Sequence, residues 1–412
     1  KLIILNMRLL KIIFIYSLLI IYSLEFLLFF TLPEEQKTMI KIKEERIKKA
    51  KELNREIDLR SPDQFYIDEK KNNKDLDPKF LYSKTFSSFK VFREAKKNNK
   101  IIPFRGPINK KSISCAEDLK YRIVSNDKYG FKNSNEIYNK KINSFLLGDS
   151  YAEGLCVVGK EDIAGNLIEK KINTINFGVT DTGPLVSLGI LKEFGQYFKP
   201  QNVIYLYFEG NDLEDLNFEK NEDYLLNYLE NNFSINYLNR YEEIKNFLAR
   251  AKTESESRIS KKNYSEDLQS TETNFFDNLK NHLKDIIELN SLKNIIRYSI
   301  VKQQVETYDL SLFYSIVEKM NFETKKWDGN YYFVYVPSWS RYFTKFTNKD
   351  ASINLKNDIL NELRSKNINI IDLTEFFDNS KNIKEFFPLG YIGHYNSNGY
   401  MKIAEIIAKN IE

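Results

Sequence analysis

Histidine, cysteine and tryptophan are scarce, two of each in 412 residues. With only His282 and His394, a multi-histidine metal centre is excluded, and imidazole-dependent catalysis has two candidates. Two cysteines exclude both a disulfide-dense scaffold and a thiolate zinc cluster, and no metal or other cofactor is expected. The charge is also one-sided only weakly. There are 62 Lys+Arg against 57 Asp+Glu, a net +5. The basic residues are dispersed among acids with no concentrated stripe, so a nucleic-acid partner is not expected. No internal repeat is apparent.

What is present argues for a folded, divided chain. Apolar residues make up 42%, with 30 Phe and 26 Tyr. The length allows a sizeable core and two or three folding units. Residue 1 is Lys, with Met7 a candidate start. Residues 12–32 are apolar apart from Glu25, long enough to span a bilayer as a helix. An uncleaved signal anchor over residues 1–33 is expected, because no small-x-small cleavage site precedes Pro33. The partner there would be the membrane, with the remainder of the chain extracytoplasmic on the periplasmic or envelope side. Residues 34–60 are charged and helix-forming, a stalk. Residues 61–141 read as an extension packing on the core.

From residue 142 the texture changes. Short apolar runs at 144–147, 174–177, 203–208, 331–336 and 368–373 read as buried strands. Amphipathic helix patterns at 162–171 and 184–198 separate some of them. The expected class is α/β, a three-layer sandwich with a mainly parallel sheet over 142–412. A helical and flexible insertion interrupts it at about 215–305, and the Ser/Thr/Glu/Lys-rich residues 252–273 within it read as a loop. His282 falls in that insertion as a structural or exposed residue.

Three short blocks carry candidate chemistry. Gly148-Asp149-Ser150 ends the first strand, where open α/β sheets bind ligands. Gly210-Asn211-Asp212 ends the third. His394 precedes a helix whose apolar positions are Tyr400, Ile403, Ala404, Ile407 and Ile411, with Ser397 as its expected cap. Each block alone is ordinary turn chemistry. Together, in this order, they converge on one sheet edge.

With Asn396, Gly399 and Tyr400 after His394, these blocks make the chain resemble the SGNH hydrolases, the GDSL-type esterases and acyltransferases. Residues 128–133 and 154–157 resemble a bacterial envelope branch of that family. The resemblance implies Ser150 as nucleophile and His394 as base. It also implies an oxyanion hole from Ser150, Asn211 and the block 176–183, where Asp181 and Gly183 are candidates. The expected activity is serine ester hydrolysis or O-acyl transfer on acylated cell-surface carbohydrate or a small ester. Tyr391 stands where the family places an acid three residues before the histidine. That leaves a Ser–His dyad, an orienting role for Asp372, or a degraded site kept as a binding module for glycan or a partner protein. Cys156 lies six residues after Ser150. It would pair with Cys115 in an oxidising compartment, two free thiols being the other reading.

Overall fold

The structure is a computed structural model describing residues 2–31, 39–98, 100–266, 287, 289, 292–293, 308–343 and 351–411. His282 and the expected loop residues 267–273 lie outside these. Two small antiparallel ribbons come first: β1 (Phe80–Leu81) with β2 (Arg105–Gly106), and β3 (Lys111–Ile113) with β4 (Ile123–Ser125). The main sheet follows: β5 (Ser144–Gly148), β6 (Thr174–Asn176), β7 (Asn202–Phe208), β8 (Asn330–Val336) and β9 (Asn369–Asp372). Its spatial order is β6-β5-β7-β8-β9, with every pairing parallel. These are the five apolar runs read from the sequence.

Their continuous apolar character follows from burial on both faces. Side chains alternate across a strand. Phe145, Leu147, Val203, Tyr205 and Tyr207 therefore enter one core, shared with residues of the helices Pro184–Phe198, Leu310–Lys325 and Lys356–Ser365. Leu146, Ile204, Leu206 and Phe208 enter the other, shared with the helices Ile163–Glu169 and Ser397–Ile411. The chain passes from β5 to β6 on one side and then returns to β7 on the other. At that switch point the connections diverge and leave a crevice at the carboxyl ends of β5 and β7.

Two sequence expectations are corrected here. The polar stretch beginning at residue 252 is not a loop over its first part, because the helix Tyr241–Glu266 runs through it. Low apolar content suggested flexibility, but tertiary contacts hold the helix. Glu254 accepts from the backbone N–H groups of Lys90 and Val91, and Arg258 pairs with Glu254 while lying over the Phe89 ring. At the N-terminus, Leu2–Thr31 is one helix. Among the described residues, however, no helix is long and apolar enough to cross a membrane, so the expected span over 12–32 lacks structural support. The helix Met39–Glu52 does not stand clear of the domain, since Arg46 donates from Nη2 to the carbonyl of Ile392.

Candidate active site

Ser150 opens the four-residue helix Ser150–Glu153 directly after β5. Asp149 caps that helix by accepting from Tyr151 N at 2.8 Å. The serine is buried, and its Oγ lies 2.8 Å from His394 Nε2. His394 arrives on the loop before the helix Ser397–Ile411, and the Tyr151 ring packs against its imidazole at 4.7 Å between centroids. Asn396, not Ser397, caps that helix, its Oδ1 accepting from Gly399 N at 3.0 Å. The Asn396 amide also donates to the carbonyls of Glu385 and Phe387, which fixes the loop.

The acid that orients His394 is Glu117, on the turn between β3 and β4. Its Oε1 lies 2.8 Å from His394 Nδ1, and its Oε2 accepts from His394 N at 2.7 Å. A carboxylate on Nδ1 holds the ring proton there and leaves Nε2 free to accept from Ser150. Burial alone would lower the His394 pKa, but the Glu117 charge and hydrogen bond outweigh it, and the pKa is raised above 6.5. Burial likewise opposes ionisation of Glu117, yet His394 and then Arg46 hold its pKa below the usual value. Gly393 leaves room for this pair, since a β-carbon there would meet Glu117 Oε2 and displace the carboxylate from His394.

Asp372, the acid named from sequence, does not take part. At the end of β9 it accepts from Thr374 N and Oγ1 and pairs with Lys356 at 2.7 Å. Glu117 carries no motif of its own and lies 33 residues upstream of Ser150. One signal points to it. Cys115 and Cys156 are joined, with Cα atoms 4.8 Å apart. Pairing a cysteine near Ser150 with one two residues before an acid brings that acid to the site. Cys115, Glu117 and Cys156 also place three metal-ligand atoms within 4.8 Å of one another. The sulfurs are bonded together and the carboxylate is engaged by His394, so this trio is not available to a metal.

Another wall of the cavity is built by the loop after β6. Gly178 crosses against the Ser150 helix so closely that any β-carbon would collide with Glu153 N. Glu153 then grips the loop, accepting from Thr180 N at 3.0 Å and Thr180 Oγ1 at 2.6 Å. Lys79 and Arg105 each pair with the same buried carboxylate at 2.8 Å. Burial would raise its pKa, but these cations hold it well below the usual value. The grip sets Asp181 on the cavity wall with φ +65°, a conformation Asp tolerates better than most residues. Gly183, the other candidate from the sequence, is not among the described residues that line the cavity. Its N–H donates to Glu219 Oε1 at 2.6 Å.

Asn211 faces the same cavity. Its amide donates to Asp215 Oδ2 at 2.7 Å, and the same side chain hydrogen-bonds Asp149 behind Ser150. Asp215 is pushed up to about 8, first by burial and then by neighbouring carboxylates. Burial likewise pushes Asp149 up to about 6. The cavity is about 360 Å³ in volume, with Tyr151, Phe208, Trp339 and Ile392 as its apolar wall. Glu209 at the end of β7 fastens the far side, accepting from Ser338 N at 2.8 Å and pairing with Arg341.

The structure therefore brings together Ser150, His394, Asp181 and Asn211, adds Glu117, and leaves out Asp372 and Gly183. No protein-family model matches the chain, and no curated protein matches it either.

Proposed function

We propose that the chain is a serine acyl-transfer enzyme of the SGNH type, hydrolysing an acyl ester or passing the acyl group to another hydroxyl. The single observation that carries this reading is the hydrogen-bonded series Ser150 Oγ–His394 Nε2, His394 Nδ1–Glu117 Oε1, each link 2.8 Å, opening on one cavity. The Ser150 oxygen attacks the acyl carbon while its proton moves to His394 Nε2. The imidazolium formed is stabilised by Glu117. His394 returns the proton to the departing alkoxide as the C–O bond breaks. An acyl-Ser150 remains, and water or an acceptor hydroxyl resolves it by the same steps in reverse. The carbonyl oxygen gains charge beside the N–H groups of Ser150 and Asp181 and the Asn211 amide.

A degraded binding module drew its force from Tyr391 in the place of an acid. Glu117 lies against His394 Nδ1 instead, which favours the enzyme reading over that one. The Cys115–Cys156 disulfide favours an oxidising, extracytoplasmic compartment. Exposed Ile12, Phe14 and Ile20 on the helix Leu2–Thr31 offer a surface for lipid. Acylated cell-surface carbohydrate fits that setting, and Tyr151, Phe208 and Trp339 give it faces to pack on.

A fluorophosphonate probe tests the reading. Wild-type protein should be labelled at one site, with labelling abolished in Ser150→Ala and strongly reduced in His394→Ala. Folded wild-type protein that takes no label would refute it.

A further inference from the structure

Charge is distributed unevenly around the Ser150 cavity. Its described lining includes two carboxylates, Glu117 and Asp181, and neither lysine nor arginine. A third carboxylate, Asp149, lies behind the nucleophile with Oδ2 3.3 Å from Ser150 Oγ. Glu117 is compensated by His394 and Arg46. Asp181 differs. Its Oδ2 accepts from Thr85 Oγ1, and among the described residues no cation pairs with it. Its influence is felt nearby, since it is one of the carboxylates that oppose ionisation of Asp215. A site meant for a carboxylate or phosphate places an Arg fork or a Lys at the wall. Neither is among the described residues of this wall, which carries hydroxyls, an amide and carboxylates.

We propose that this site, on the acyl-transfer reading above, acts on esters of uncharged, hydroxyl-rich alcohols and rejects anionic ones, with Asp181 as the discriminating residue. Hydroxyls of a neutral sugar or polyol donate to the Asp181 carboxylate, which is fixed on the wall by Thr85 and by the Glu153 grip on Thr180. A carboxylate or phosphate on the same alcohol meets uncompensated negative charge. At an effective dielectric of about 20, a like charge about 10 Å away weakens transition-state binding by roughly tenfold or more.

The test uses the full chain in a nonionic detergent and two acetate esters of similar shape, para-acetoxybenzoate (anionic) and para-acetoxybenzamide (neutral). Each kcat/KM is divided by that ester's own hydroxide hydrolysis rate. At about 10 mM ionic strength the neutral ester should be preferred by about tenfold or more. The preference should shrink severalfold at about 0.5 M salt, where screening is short-ranged. It should also shrink in Asp181→Asn, which tolerates the same backbone, whatever happens to the absolute rates. Equal or faster turnover of the benzoate, or a preference unchanged in Asp181→Asn, overturns the proposal. Failure to turn over either ester, together with no fluorophosphonate labelling of folded protein, overturns the acyl-transfer reading itself and this proposal with it.

Discussion

Replacing Glu117 by glutamine removes one charge and keeps the shape, so it isolates what the carboxylate does. The two oxygens accept from His394 Nδ1 at 2.8 Å and from His394 N at 2.7 Å. An amide offers one acceptor and one donor. The backbone N–H can only donate, so the glutamine oxygen must face it and the NH₂ must face Nδ1. Nδ1 then has to accept, and the ring proton moves to Nε2, where it blocks proton transfer from Ser150. The corresponding tautomer error in a serine protease triad lowers kcat about 10⁴-fold, roughly 5.4 kcal/mol of barrier. A comparable loss in kcat with little change in KM is expected for para-nitrophenyl acetate hydrolysis. The pH profile should move as well. In the wild type, activity should rise with pH as His394 loses its proton, at an apparent pKa above 6.5. Without the carboxylate, burial dominates and residual activity should titrate below that value. Asp372→Asn is the control and should stay within about threefold, a change of under 1 kcal/mol. Near-wild-type activity in Glu117→Gln, or an equal loss in Asp372→Asn, would refute the reasoning.

The same pair sets a window of stability. Glu117 is lowered, so its contribution is present above its ordinary pKa of about 4.5 and is lost as pH falls through the folded value. His394 is raised, so its contribution is full below about 6.5 and is lost as pH rises through its folded pKa. Thermal melts of wild type against Glu117→Gln should differ most between those limits, and the difference should shrink at alkaline pH to the part that Arg46 and the His394 N–H keep. Reducing the Cys115–Cys156 bond frees a loop with a sequence separation of 41, for which chain entropy predicts a loss of about 4 kcal/mol. Activity should fall under dithiothreitol while the protein is still folded by circular dichroism, because Glu117 rides on the released turn. Asn211→Ala should lower kcat by about 10²–10³ and change KM little, measured on the same ester. Glu153→Gln leaves Lys79 and Arg105 without their shared buried counter-charge and should cost about 3–5 kcal/mol in denaturant melts. It should also lower kcat, since Thr180 loses its anchor beside Asp181.

Most of the sheet could be read from the chain because burial on both faces leaves a local mark. Runs such as 203–208 have no polar side to show, and turn-forming Gly, Asn and Asp follow them. The helix Tyr241–Glu266 left a helical pattern only in its first part, up to about residue 251, and no such mark from residue 252 on. Its stability comes from contacts with Lys90, Val91 and Phe89, about 160 residues earlier in the chain, and its composition suggests the opposite. Gly183 was a reasonable oxyanion candidate by position, but its N–H is taken by Glu219, 36 residues later. Only the packing of the helix Asp212–Glu219 against that loop decides this.

The scarcity of histidine narrowed the candidate bases to His282 and His394, and the resemblance together with the place of His394 after the last strand pointed to the latter. Sequence also determined the two side chains at the ends of β5 and β7, because residues at strand ends inherit their place from the strand. It could not determine which acid meets His394. A catalytic acid needs only a carboxylate within about 3 Å of Nδ1. Any turn that reaches the site can supply it. Here the turn between β3 and β4 does so, carried there by a disulfide and held by Arg46 and His394. That choice is a matter of distances between segments remote along the chain, and it exists only in the folded protein.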